Sequence, residues 1–319
     1  MLIFPTYQTL LTKPAATSSS SSSSSFGGVT TDLDVHYDFS DTSCWNRNKS
    51  SNAADYTVNN LAGDHNDGLF RRKVSGTTYT NTSDIDTIDF DSDADGCIEV
   101  KSSNYSGSSE TTVLLIPGHE TSTSTSALNY NAPTITDSNN LLNIGTGAFT
   151  IEYWIRFYLD NSNHGSVAFF KFYNKTTSNS NSDIIMLTYD LNWVSHSIRG
   201  DLILKPHHTT TTRIIDAPSE SFPGQPSSGA GWTDWMHIVV SKESGTSSGN
   251  LKAYVNNTLE LTTTGSKNYD YMRYGRILAV YNSSSPDYRI GIFRFYQDKA
   301  LTSSEVTTNW NDQKSRFGH

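Results

Sequence analysis

Asp84, Asp86, Asp89, Asp91, Asp93 and Asp95 crowd one short stretch of the chain, and Gly96 closes the run. Asp91, Asp93 and Asp95 stand at alternate positions before a glycine, as in the first half of a calcium loop. Hard carboxylate oxygens suit Ca²⁺, and a glycine permits the sharp turn. The second half departs from that pattern, because Ser102 occupies the twelfth position, where a bidentate glutamate would stand. Two readings stay open: Ca²⁺ held by Asp91, Asp93 and Asp95, or an acidic loop leading into a strand over residues 97–100. No other cofactor is expected.

Glycoside hydrolysis needs two carboxyl groups flanking one bond, about 5 Å apart when configuration is retained. A strand would offer such a pair from glutamates a few residues apart, yet the nearest two, Glu110 and Glu120, are ten positions apart. Asp95 and Glu99 are closer, but in a loop setting. The chain therefore reads as a non-enzyme. His207 and His208 are adjacent, so their side chains point apart on a strand, and no Cys or carboxylate spacing completes a zinc site around them. Among the tryptophans, Trp154 and Trp235 sit inside strand patterns and read as core, as does His237. Trp193 and Trp232 lie in loop-like surroundings. These two are the candidates for stacking on a sugar face, since an aromatic ring is a flat apolar body with a polar edge.

The elements that must carry these residues are strands. Hydrophobic residues make up 35% of the chain and charged ones only 17%, leaving a remainder rich in Ser, Thr, Asn and Gly, the composition of strands joined by polar loops. Helical periodicity is almost absent, and turn clusters recur at residues 161–165, 179–183, 244–250 and 282–287, the spacing of a sandwich or jelly roll. Residues 289–296 alternate apolar and basic side chains and predict a strand with a buried face. Thr302 and Glu305 then form a capping box for a short helix over 303–311. At 319 residues one large all-β domain is the simpler reading.

Several stretches resemble, in order, the concanavalin A-like sandwich in its laminin-G-like or pentraxin-like form. They are LDVHYDF at 33–39, VNNLAGDHNDGL at 58–69, IDFDSDADGCIEV at 88–100, FTIEYWIRF at 149–157, WMHIVVSK at 235–242, NLKAYVNNTLE at 250–260 and the closing strand and helix. The resemblance spans roughly residues 32 to 318. It implies an all-β concanavalin A-like jelly roll with a short C-terminal helix, a fold that hosts lectins, adhesion modules, enzymes and capsid parts and so does not fix a function. Related lectin-like sandwiches bind Ca²⁺ through loop carboxylates, which keeps the calcium reading in view.

Residues 1–31 are different material. An apolar start, with Leu2, Ile3, Phe4 and Tyr7 as candidate anchors on a partner, is followed by an unbroken serine tract over 18–25 that cannot bury enough apolar surface to fold alone. This is the pattern of an extended arm and tether ahead of a domain at 32–319. A secretory signal fits poorly, because Lys13 follows the apolar residues and residues 2–4 are too short for a hydrophobic region. No run is long enough to span a bilayer. A formal net charge of −9 disfavours nucleic acid, and the one dense basic cluster, Arg71-Arg72-Lys73, reads as a solvated loop beside a turn. Cys44 and Cys97 fall beside strands and could pair, but one bridge is no disulfide framework. Residues 311–318, with Lys314-Ser315-Arg316-Phe317-Gly318, resemble the close of sandwich domains in virion proteins of tailed bacteriophages, marine ones especially. That resemblance implies a capsid-decorating or tail protein in the virion, with the major capsid protein or tail proteins as partners, surface glycans as a weak ligand and symmetric self-assembly. A free lectin is the alternative.

Overall fold

The computed structural model describes residues 26–47, 57–63, 67–75, 78–80, 88–101, 112–117, 128–129, 144–159, 167–174, 183–191, 200–207, 210–215, 222–226, 230–265, 272–279 and 287–319. In chain order the strands are β1 (Leu33–Asp38), β2 (Thr57–Val58), β3 (Gly68–Ser75), β4 (Thr78–Thr80), β5 (Ile88–Asp91), β6 (Cys97–Val100), β7 (Thr112–Pro117), β8 (Leu128–Asn129), β9 (Phe149–Leu159) and β10 (Val167–Asn174). They continue with β11 (Asp183–Leu191), β12 (Gly200–His207), β13 (Thr210–Ile215), β14 (Gly231–Trp232), β15 (Met236–Lys242), β16 (Leu251–Val255), β17 (Thr258–Thr263), β18 (Met272–Ala279) and β19 (Tyr288–Gln297), before helix α1 (Ser303–Gln313).

Two antiparallel sheets face each other. The first runs β17-β16-β15-β9-β19-β6-β5, with β1 beside β19 and β14 beside β9; the second runs β13-β12-β11-β10-β18-β7-β3-β4-β8, with β2 beside β3. The expected all-β sandwich with one short C-terminal helix is thus the observed architecture. Strand β9 shows how the sequence produces it. Its odd positions, Phe149, Ile151, Tyr153, Ile155, Phe157 and Leu159, all enter the core between the sheets, because successive strand side chains alternate faces. Opposite them the second sheet contributes Phe70, Leu114, Phe169, Phe170, Leu187 and Ile277. Tyr153 donates its hydroxyl to the Ile277 carbonyl at 2.8 Å and meets Phe169 edge-on at 5.6 Å, so the core's buried phenol is satisfied from the opposite layer.

The even positions of β9 carry Thr150, Glu152 and Trp154, which are also buried, so the outer face of this sheet is covered as well. The cover is α1 and the tail behind it. The capping box forms as the sequence predicts: Thr302 accepts from the Glu305 amide and Glu305 accepts from the Thr302 amide. The hairpin between β16 and β17 turns on Asn256 and Asn257, both with positive φ, as a two-residue type I′ connection requires. Arg71, Arg72 and Lys73 lie within β3, not in a loop; their neighbours Leu69 and Phe70 pair with β7, and that pairing carries the basic cluster into the sheet. Cys44 and Cys97 are both buried and both free. Among the described residues no helix is long and apolar enough to cross a membrane.

Strand β19 contains a register shift against β9 between Ile290 and Ile292. Ile290 and Phe293 both face the core while Ile292 faces outward with Trp154 and Phe317, the change of phase that a one-residue bulge makes. Gly291 sits at the shift because a Cβ there would lie 2.5 Å from the Phe317 ring. That ring is stacked on Trp154 at 4.2 Å and edge-on to Trp235 at 5.0 Å. Gly291→Ala should therefore destabilise the fold by about 1–3 kcal/mol through overpacking. Urea unfolding of the single and double variants checks this: in a Phe317→Ala background the added methyl should cost nearly nothing, and strictly additive effects would refute the collision.

Candidate functional site

Three groups of polar residues gather on the outer face and rim of the first sheet. The innermost is a charged centre with no solvent access. Glu152 on β9 stands opposite Arg294 on β19, and both side chains are fully buried. Arg294 Nη1 donates to Glu152 Oε1 at 2.7 Å, and His237 Nε2 lies 2.8 Å from the same oxygen. A carboxylate only accepts, so the Nε2 proton of His237 points at it. The second oxygen accepts from Asn309 Nδ2 of α1 at 2.8 Å and is 3.4 Å from the Tyr296 hydroxyl. Burial alone would raise the Glu152 carboxyl, but the Arg294 guanidinium, His237 and Asn309 hold it down at about 2. The same centre fixes the incoming chain: the Val29 amide donates to Asn309 Oδ1 at 2.8 Å, Tyr296 donates to the Val29 carbonyl at 3.0 Å, and the Phe26 ring covers the Arg294 guanidinium at 3.7 Å. Phe26 and Val29, within the span expected as tether, are thus packed on the body.

The second group contains the acidic loop. Arg289 donates to Asp91 at 2.8 Å, to Asp93 at 3.3 Å and through Nε and Nη2 to Glu99 at 2.9 and 2.7 Å. Arg156 pairs with Asp93, which also accepts from Trp235 Nε1 at 3.0 Å. Guanidinium groups thus neutralise the Asp91 and Asp93 carboxylates. Asp95 is turned elsewhere, because Ala94 and Asp95 both adopt positive φ. Among the described residues no three His, Cys, Asp or Glu side chains are placed to share a metal ion. Trp232 is partly exposed in β14 and lies within 4.3 Å of the Arg289 guanidinium and 4.9 Å of that of Arg156. The loop-like setting expected for it is a strand edge under two cations.

The third group is an open cleft of about 540 Å³ where β1, residues 26–33, the acidic loop and the end of α1 meet. Phe26, Leu33 and Leu61 give it apolar wall; Asp38, Asp41, Asp95, Asp312 and Arg316 give it charge; and His36 lines it from β1. Arg316 builds one side of this cleft. It binds Asp38 with Nη1 at 3.0 and 2.8 Å, the Ala94 carbonyl with Nε at 2.7 Å and the Gly96 carbonyl with Nη2 at 3.1 Å. Burial would raise the Asp38 carboxyl, yet Arg316 and Ser40 hold it below its usual range. Burial, reinforced by the Arg294 charge, lowers His36 to about 3, and its Nε2 has no hydrogen-bond partner.

Of the residues singled out by type and spacing, the structure brings Asp91, Asp93 and Trp232 into one ion-paired cluster and puts Asp95 in the cleft. Trp193, Leu2, Ile3, Phe4 and Tyr7 lie outside the described residues, as do Asp84, Asp86, His208, Glu110 and Glu120. His237 is a packed strand residue, as expected. The residues that sequence reasoning passed over are His36, Glu152, Arg294 and Arg316. One signal was present for Glu152: a charge at an even position of a strand whose odd positions are all apolar must find a partner if that face is covered.

No protein-family model matches the chain, and no curated protein matches it. Among solved structures it is similar to the Trypanosoma rangeli sialidase in complex with sialic acid, at 10% identity and a TM-score of 0.50, covering 91% of this chain and 34% of that one. It is also similar to the binding domain of botulinum neurotoxin DC in complex with rat synaptotagmin II, at 11% identity and a TM-score of 0.47, over 90% of this chain and 52% of that one. A third is the binding domain of Paraclostridial Mosquitocidal Protein 1, at 15% identity and a TM-score of 0.41, over 76% and 51%. The chain spans about half the length of these binding domains and a third of the sialidase. At such identities the likeness speaks to the β-sandwich fold alone.

Glu152→Gln would leave Arg294 charged and uncompensated in a sealed site, and should lower stability by about 3–5 kcal/mol in chemical denaturation. Acid should act through two groups with the same sign. His36 refuses in the fold a proton that the unfolded chain accepts near 6.5, so its contribution is complete above pH 6.5 and is lost as pH falls toward about 3. Glu152 contributes fully above its ordinary value of 4.5 and loses that contribution as pH falls toward about 2. The thermal midpoint should therefore begin to decline below pH 6.5, ahead of carboxylate titration, and His36→Gln should flatten the decline between pH 6.5 and 5. An unchanged slope in that variant would show that His36 is not the group responsible.

Proposed function

We propose that this chain is a non-enzymatic carbohydrate-binding sandwich of a bacteriophage particle, held by residues 1–31 and displayed on the capsid surface or tail. The observation that carries the sugar-binding part is the cleft at the rim of the first sheet, open to solvent and lined by carboxylates, hydroxyls, an amide and apolar side chains, the mixture that polyhydroxyl ligands need. Binding rather than catalysis is favoured because five carboxylates of this face are committed to ion pairs. Glu152 is sealed beneath α1, Asp91, Asp93 and Glu99 are paired with arginines, and Asp38 is held by Arg316.

The particle reading rests on the resemblance of residues 311–318 to phage virion sandwiches, together with the way the arm joins the body. Residues 26–30 are stitched to Tyr296, Asn309 and Arg294, so the domain can be carried from its N-terminal side. The major capsid protein or tail proteins of the same particle are the partners this implies, with surface glycans as ligand and the virion as location. Removing residues 1–25 should leave the sandwich folded and abolish its incorporation into particles, as judged by co-sedimentation. A glycan array with the full chain should give binding that no hydrolysis follows. Undiminished incorporation of the truncated chain would defeat the anchoring, and would favour a free lectin if array binding persisted.

A further inference from the structure

We infer that residues 26–30 form a strap over the outer face of the first sheet, built to lift off in mild acid while the sandwich beneath it stays folded. These residues belong to no strand. They are held by side chains of the body: the Val29 amide donates to Asn309 Oδ1 at 2.8 Å, the Val29 carbonyl accepts from the Tyr296 hydroxyl at 3.0 Å, and the Phe26 ring lies on the Arg294 guanidinium at 3.7 Å. Val29 also packs against the apolar cluster of Tyr296, Leu301 and Val306. Gly28 lets the strap lie this close to α1, since a Cβ there would stand 2.2 Å from the Phe26 ring and 2.6 Å from Asn309 Oδ1. A turn joins the strap to β1: the Leu33 amide donates to the Thr30 carbonyl at 3.3 Å, and Asp32 takes positive φ. Lifting residues 26–30 as far as that turn therefore breaks side-chain contacts and no strand ladder, the kind of segment that opens below the cost of global unfolding.

What lies under the strap makes it sensitive to protons. His36 on β1 is the cross-strand partner of Arg294 on β19, so protonating it would set two cations side by side on one covered face. The Phe26 ring serves both, with its centroid 5.1 Å from that of His36. No spare anion is at hand. Glu152 of β9 already accepts from Arg294, from His237 of β15 and from Asn309 of α1, and Asp38, two residues along β1, is gripped by Arg316 of the tail. Asp41, Asp95 and Asp312 stand in the open cleft, where water screens them. Burial and the Arg294 charge hold His36 unprotonated down to about 3, whereas an imidazole in water accepts a proton near 6.5. The proton therefore binds the open state and not the closed one, and opening gains about tenfold per pH unit below 6.5. Arg294 Nε and Nη2 are likewise buried without hydrogen-bond partners, and lifting the Phe26 ring admits water to them in the same movement.

Amide hydrogen exchange of the full chain at pH 7.5 and 5.5, corrected for the intrinsic pH dependence of exchange, tests this. At pH 7.5 the Val29 amide should exchange at least tenfold faster than the amides of β9, because the strap opens without the sandwich. Its protection should fall at least a further tenfold at pH 5.5, where the β9 amides still mark a folded sandwich. Gly28→Ala should strip Val29 of protection already at pH 7.5 and leave β9 protected. His36→Gln should make the protection of Val29 equal at the two pH values; if that variant does not fold, the other comparisons decide. Val29 exchanging at the β9 rate, equal protection of Val29 at both pH values in the unsubstituted chain, a fall that persists in His36→Gln, or Val29 still protected in Gly28→Ala would each overturn the inference. None of these readouts involves a glycan, so the carbohydrate-binding reading stands or falls separately.

Discussion

A carboxylate and a guanidinium that water cannot reach impose the strictest demand on this fold. Glu152 and Arg294 occupy facing positions of the two central strands, where a charge removed from solvent is costly unless it is paired and hydrogen-bonded. The carboxylate is satisfied and the guanidinium covered by residues from four separate parts of the chain, while Arg294 Nε and Nη2 keep no hydrogen-bond partner. His237 comes from the neighbouring strand, Asn309 from the helix, Tyr296 from β19 itself and Phe26 from the N-terminal approach. Each partner can reach the pair only if its own element is docked. The ion pair therefore ties the register of β9 against β19 to the seating of α1 and of the entering chain.

The aromatic half of the cover extends the same constraint. Trp154 is stacked between elements of the C-terminal region, with Trp310 at 5.2 Å and Phe317 at 4.2 Å, and His319 reaches the Trp235 carbonyl at 2.7 Å. A sandwich sheet ordinarily leaves one face to water; this one has a third layer made of a helix and six further residues. The cleft is a by-product of that layer. It opens where the tail, having passed over the sheet, turns Arg316 back to grip Asp38 and the loop at 94–96. The ionic clasp that holds the layer down thus also shapes the wall of the cavity.

Much of the architecture was readable from local pattern. The strand at 149–157, the strand at 235–242, the hairpin at 250–260 and the capped helix after Thr302 appear within a few residues of where their periodicity and caps placed them. The site was less legible, and the acidic loop shows why. Alternating aspartates before a glycine specify a turn rich in carboxylates, but Arg289, which binds two of them, is 198 and 196 positions away. Spacing along a chain reports on neighbours within a turn or two of the same element. It carries no record of which distant guanidinium the topology will bring alongside. The basic cluster at 71–73 was misread for a related reason, since a charged triplet looks like loop until the strand pairing on both sides of it is known.

The sequence by itself determined the kind of element at each place. Alternation on β9 and β19, two asparagines able to take positive φ, and Thr302 with Glu305 are local instructions that backbone sterics and hydrogen bonding execute without reference to the rest of the molecule. Only the tertiary structure decided that both faces of the first sheet would be buried, that Glu152 would meet Arg294 in a sealed centre while Asp91 and Asp93 met Arg289 at the rim, and that His36 would line an open cleft with a ring nitrogen unpaired. These outcomes depend on which surfaces are covered. Burial is what turns a charge or a ring nitrogen from a solvated side chain into a constraint, and burial is a property of the packed layers rather than of any segment.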